Sequence, residues 1–109
     1  MRNCVTVSAL VLVLGCASAP EVLRQGAPAF TSRRAPDDAV RFIATSWTTR
    51  ALEHVTVTPY EKGTLLTLGD HAFVAYVWAE DGKTLIRYNW PTSVHFDWME
   101  KPLLALKNE

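Results

Sequence analysis

The chain has 109 residues, with eleven basic and eleven acidic side chains and a formal net charge of zero. That balance supplies no electrostatic footprint for nucleic acid and no polybasic block for a membrane surface. Hydrophobic residues make up 49% of the sequence, enough for one small folded domain and too many for a chain disordered throughout.

The first element is an apolar run. Arg2 gives a positive start, and Val5 to Leu14 continue with ten mostly apolar residues, where a single membrane span needs about 20. Pro20, Glu21 and Arg24 follow soon after. A basic start, a short apolar core and small residues together make a secretory signal. Two cut sites compete within it. Ala17-Ser18-Ala19 has the A-x-A form, but Pro20 comes next, and its missing N–H and fixed φ suit a peptidase badly.

The second site, Val13-Leu14-Gly15-Cys16, resembles the lipobox of bacterial lipoproteins, with Leu14 bulkier than the small residue usual there. The resemblance implies a signal peptide over residues 1–15 and a diacylglycerol on the thiol of Cys16. The new amino group is usually acylated as well in that family. Ala17 stands where the family's inner-membrane retention signal commonly has Asp, which implies the outer membrane, periplasmic face. Cys4 lies in the segment to be removed, so Cys16 is the single thiol of the mature chain and no disulfide can form. Each buried CH₂ contributes about 0.8 kcal/mol, and two acyl chains already anchor stably. A secreted protein with a free Cys16 is the competing reading.

Residues 16–35 carry two prolines, a glycine and several alanines without a sustained period, the composition of a flexible linker. As a coil, such a segment spans about 25 Å on average. The folded domain is then expected over residues 36–109.

Its first element is a helix. Pro36 fits the first helical position, and Asp37 and Asp38 fall in the first turn, where the dipole favours negative charge. Val40, Ile43, Ala44 and Trp47 make an apolar stripe at helical spacing. After Trp47 the pattern turns to short β runs: "HVTVTP", a turn at "YEKG", "TLLTL", then "HAFVAYVWAE" and "KTLIRYNW". Gly69-Asp70 and Asp81-Gly82 are two-residue hairpin signals. The Asp81-Gly82 turn predicts Glu80 opposite Lys83, Val77 opposite Ile86 and Ala75 opposite Tyr88. The Gly69-Asp70 turn predicts Leu66 opposite Phe73. These put one apolar face under the helix stripe.

The other face carries Leu65 with Val74, Trp78 with Leu85, and Tyr76 with Arg87, too apolar to be wholly wet. The chain end is the nearest cover: Val94, Phe96 and Trp98 alternate like a strand, and Pro102 opens a last helix. Either this tail covers the second face or part of that face stays open. The expected fold class is α+β: an N-terminal helix packed on a four-stranded antiparallel β-meander, with a short C-terminal strand and helix tail.

No catalytic, metal-binding or cofactor-binding pattern emerges. No serine sits in a G-x-S-x-G elbow, and His54, His71 and His95 lie far apart without H-x-x-x-H or H-E-x-x-H spacing. Glu53 and His54 are adjacent ahead of a strand and point to opposite faces. Four tryptophans and three tyrosines are many for this length, and most belong in a core. Tyr76 beside Arg87, flanked by Trp78, is the one candidate binding platform; its bland counterpart is a cation–π pair on an ordinary sheet face. The stretch "EKGTLLTLGDHAFVAYVWAEDGKTLIRYNW" resembles small proteobacterial lipoproteins of unknown function and brings no site residues with it. The expectation is a non-enzymatic binding or accessory module, held to a membrane through Cys16 and recognising an envelope protein, peptide or glycan. An inhibitor of an envelope-attacking hydrolase and a structural subunit of an envelope complex are the alternatives.

Overall fold

The computed structural model describes residues 18–26, 28–50, 54–69, 73–90 and 97–109. Among these described residues it is an α+β fold with three helices and a five-stranded antiparallel sheet. The elements are α1 (Ala19–Arg24), β1 (Phe30–Ser32), α2 (Pro36–Arg50), β2 (Val55–Tyr60), β3 (Gly63–Leu68), β4 (Phe73–Glu80), β5 (Lys83–Asn89) and α3 (Asp97–Lys107). The strand order is β1-β5-β4-β3-β2.

Four of the strands form the expected meander; the fifth was expected to be linker. Phe30–Ser32 pairs with β5, Phe30 opposite Ile86 and Ser32 opposite Thr84. Just before it, α1 folds where a flexible coil was expected. Ser18 caps this helix reciprocally: the Glu21 N–H donates to its hydroxyl at 3.4 Å, and its own N–H donates to the Glu21 carboxylate at 3.1 Å. Two of the donors orphaned at a helix start are thereby satisfied. Ala19, Val22 and Leu23 are buried, and that burial is what holds so short a helix in place. Gly26 then passes so close to β5 that a Cβ would lie 2.7 Å from the Tyr88 carbonyl oxygen. Only glycine fits that approach.

The Asp81-Gly82 hairpin has the expected register, with Glu80 opposite Lys83, Val77 opposite Ile86 and Ala75 opposite Tyr88. Asp81 and Gly82 both take positive φ, 54° and 76°, as a type I′ turn demands. The β3–β4 connection differs from expectation. Leu68, not Leu66, is the partner nearest the turn, opposite Phe73; Leu66 faces Ala75, and Leu65 faces Tyr76 rather than Val74. Residues 69–72 therefore join the strands instead of a two-residue loop. A two-residue loop would set His71 opposite Leu68 on the buried face, whereas this register puts Phe73 there. The slip is by two residues, so every side chain keeps its face.

The sheet has helices on both sides. On the first face, Leu66, Leu68, Phe73, Ala75, Val77 and Ile86 pack with Ala39, Ile43 and Trp47 of α2 and with Met99, Leu103 and Leu106 of α3. Trp47 is fully buried; its ring meets Phe73 edge-on at 5.5 Å, and its indole N–H donates to the Met99 carbonyl at 2.8 Å. One side chain thus ties α2, α3 and the sheet together. On the second face, Ala19, Val22 and Leu23 of α1 pack on Leu65, Val74 and Tyr76. The C-terminal tail accordingly covers the first face, not the second. Trp98 belongs to α3 rather than to a strand, while Val94 and Phe96 lie outside the described residues. Pro102 sits inside α3 instead of opening it. Proline has no N–H to donate within a helix, and a proline inside one costs about 3 kcal/mol. Burial of Pro102 itself with Met99, Leu103 and Leu106 offsets that cost.

Candidate functional site

The second face divides by register into three rows across the strands. Thr67, Val74 and Asn89 form one row, Thr58, Leu65, Tyr76 and Arg87 the next, and Gly63, Trp78 and Leu85 the third, with Tyr60 opposite Gly63 at its edge. Helix α1 packs on the first two rows, and the Asn89 side-chain amide donates to the Val22 carbonyl at 2.8 Å. The third row has thinner cover: Tyr60, Trp78 and Leu85 are half-buried.

Of the expected platform, Tyr76 belongs to the core beneath α1, with 8% of its surface exposed. Its hydroxyl donates to the Tyr60 carbonyl at 3.0 Å and accepts from the Lys62 N–H at 3.2 Å. Burial pushes that hydroxyl above the usual tyrosine range. Tyr76 closes the β2–β3 turn from beneath, so it serves packing and leaves little ring surface for a ligand. Trp78 stacks on it at 4.9 Å with 21° between planes, and Tyr60 meets it edge-on at 5.6 Å. Arg87 stands opposite Tyr76 in the ladder and is half-buried. The structure therefore brings all three residues onto one face but leaves Trp78, not Tyr76, as its accessible ring.

Three further residues complete this region without a signal in the sequence pattern. The Trp78 indole N–H donates to the Glu80 carboxylate at 3.0 Å, and Lys62 Nζ reaches the same oxygen at 3.3 Å. The Trp78 hydrogen bond, then Lys62, holds the Glu80 carboxyl below its usual range. Tyr60 joins the cluster because the two-residue turn Glu61-Lys62, with Glu61 at φ 50°, folds β2 back over β3. Gly63 permits this packing: a Cβ there would lie 2.6 Å from the Trp78 Cβ.

The other chemistry-bearing residues have structural occupations. Ser18 caps α1, and the hydroxyl of buried Ser32 accepts from the Arg34 N–H at 3.2 Å. Asp37 and Asp38 stand in the first turn of α2, where Asp38 pairs with Arg41 at 3.3 Å. His54 is exposed ahead of β2. Cys16, Glu53, His71, Ser93 and His95 lie outside the described residues. Among the described residues, no three His, Cys, Asp or Glu side chains gather as metal ligands, and no helix is long and apolar enough to cross a membrane. Against known protein families, curated proteins and solved structures, the chain finds no match.

Proposed function

We propose that the chain is a lipid-anchored protein of the cell envelope, acting as a non-enzymatic binding or accessory module. The observation that carries this reading is Val13-Leu14-Gly15-Cys16 at the end of an apolar run too short to span a bilayer. The thiol of Cys16 takes the lipid, residues 1–15 are removed, and the protein is held at the periplasmic face of the outer membrane. Its partner is an envelope protein, peptide or glycan. The half-buried Tyr60, Trp78 and Leu85 on the second face support a surface role, because aromatic rings with exposed edges are the usual anchors of recognition.

Cys16→Ser tests the anchor. Expressed in a bacterial host with radioactive palmitate, the wild type becomes labelled and matures, whereas Cys16→Ser stays unlabelled and keeps its full precursor length. A labelled Cys16→Ser protein of mature size contradicts the reading.

A further inference from the structure

We propose that the row Tyr60, Trp78 and Leu85 on the second face rests in the headgroup region of the bilayer that holds the anchor. This inference rests on lipidation of Cys16 and says how the domain sits once it is anchored.

Chain reach ties α1 to the bilayer. Ser18 is the cap of α1, and two peptide units separate it from Cys16. Extended chain covers at most about 3.6 Å per residue, so the two Cα atoms are within about 7 Å of each other. A free coil through residue 35 would instead allow about 25 Å of separation. Residues 18–26 are not a free coil: α1 is packed on Leu65, Val74 and Tyr76, bonded to Asn89 through Val22, and followed by Gly26 pressed against β5. The acyl chains therefore hold α1 against the bilayer. The sheet face on which α1 lies turns toward the lipid with it.

The chemistry of the row fits the same placement. Tryptophan and tyrosine, with an apolar ring and one polar edge, concentrate at the headgroup level of membranes. Tyr60 and Trp78 are half-buried in the row beside α1, with the Leu85 side chain next to Trp78 across the β4–β5 pair. Exposed Lys62 and Lys83 flank the row, and lysines reach from such a position to phosphates along their apolar stems. Exposed Glu61, Glu80 and Asp81 stand beside these lysines, and Glu80 contacts the row itself. It is held by the Trp78 indole and by Lys62, so its charge is met within the protein. Arg24, exposed in the last turn of α1, adds a further cation on the same side. A row of rings with cations and carboxylates mixed at its margin suits the headgroup level of a zwitterionic lipid surface.

The test uses the mature, lipid-bearing chain purified in detergent and reconstituted into phosphatidylethanolamine and phosphatidylglycerol vesicles with brominated acyl chains. Bromine quenches tryptophans at the interface, while Trp47 is fully buried in the opposite core. The expected result is a loss of emission on reconstitution that disappears in Trp78→Phe. A nitroxide on Lys83→Cys gives a second reading: it should gain collisions with oxygen and lose collisions with a water-soluble nickel complex when the protein enters vesicles. That second reading decides the matter if Trp78→Phe unfolds. Emission that is unquenched, or equally quenched in folded Trp78→Phe, overturns the proposal, as does a Lys83→Cys label that stays in water. Mass spectrometry of the N-terminal peptide separates the two levels. A lipidated protein whose Trp78 stays in water refutes only the orientation, and a mature N-terminus without lipid refutes the anchor and the orientation together.

Discussion

The two faces of the sheet are built differently. The first is sealed by two helices of fifteen and eleven residues, and Trp47, Phe73, Ile43, Leu66, Leu68, Ile86, Leu103 and Leu106 are all fully buried there. The second is covered by a helix of six residues, with Leu65, Val74 and Tyr76 as the buried apolar sheet residues of its cluster among the described residues. The first face carries most of the hydrophobic stabilisation, since burial of a large apolar side chain contributes about 1.5–3 kcal/mol. The second leaves a margin of half-buried rings. Stability and surface function are thus divided between the two sides of one sheet.

Truncation should show that division, most strongly on the first face. Trp47→Ala removes the largest fully buried side chain and leaves the Met99 carbonyl without its indole donor. Denaturant titration should find a loss of about 3–5 kcal/mol. On the second face, Leu23→Ala thins the α1 cover and should cost less, about 2–3 kcal/mol, the low end for a buried leucine. A Leu23→Ala protein as unstable as Trp47→Ala would show that the two faces bear equal weight.

A smaller effect comes from a pair on the first side. The Tyr88 hydroxyl donates to the Glu100 carboxylate at 2.5 Å, joining β5 to α3. Burial, then the carboxylate, pushes the Tyr88 hydroxyl far above the usual range. A raised folded-state value means that this contribution is complete below the ordinary tyrosine range and falls as pH climbs above about 10. Denaturant midpoints at about pH 8 and about pH 11 should drop more for wild type than for Tyr88→Phe, beyond the general alkaline loss. Equal drops would mean that Tyr88 titrates as a free phenol.

What was legible in the sequence follows the same division. The α2 stripe, the Asp81-Gly82 turn and the assignment of residues to faces come from local periodicity and turn chemistry, and they set the first face. The stripe is turned slightly: Ala39 with Ile43 and Trp47 is fully buried, while Val40 and Ala44 are at its margin. The second face depends on a short segment whose letters point elsewhere. Ser18-Ala-Pro-Glu21 is a capping box, but it overlaps an A-x-A cut site and sits in a proline- and alanine-rich stretch. Ala19, Val22 and Leu23 have helical spacing for less than two turns, too short to register as a period. Strand β1 has three residues, again below what alternation can reveal. For the tail, Pro102 reads as a helix start, and only the apolar contacts of Met99, Leu103 and Leu106 explain a helix that begins at Asp97. Tyr76 reads as a surface ring beside Arg87 until α1 is laid over it.

Residues 18–26 are part of the fold and roof its second face. Amide hydrogen exchange in the native state tests it most directly. The Val22 N–H donates to the Ser18 carbonyl, the Gln25 N–H to Val22 and the Gly26 N–H to Leu23, at 3.0, 3.2 and 3.0 Å. These three amides are predicted to exchange far more slowly than in an unstructured peptide of the same sequence, and Leu23→Ala should speed them while leaving the β4–β5 ladder protected. Exchange of Val22, Gln25 and Gly26 at the free-peptide rate would contradict the account and return this segment to a linker.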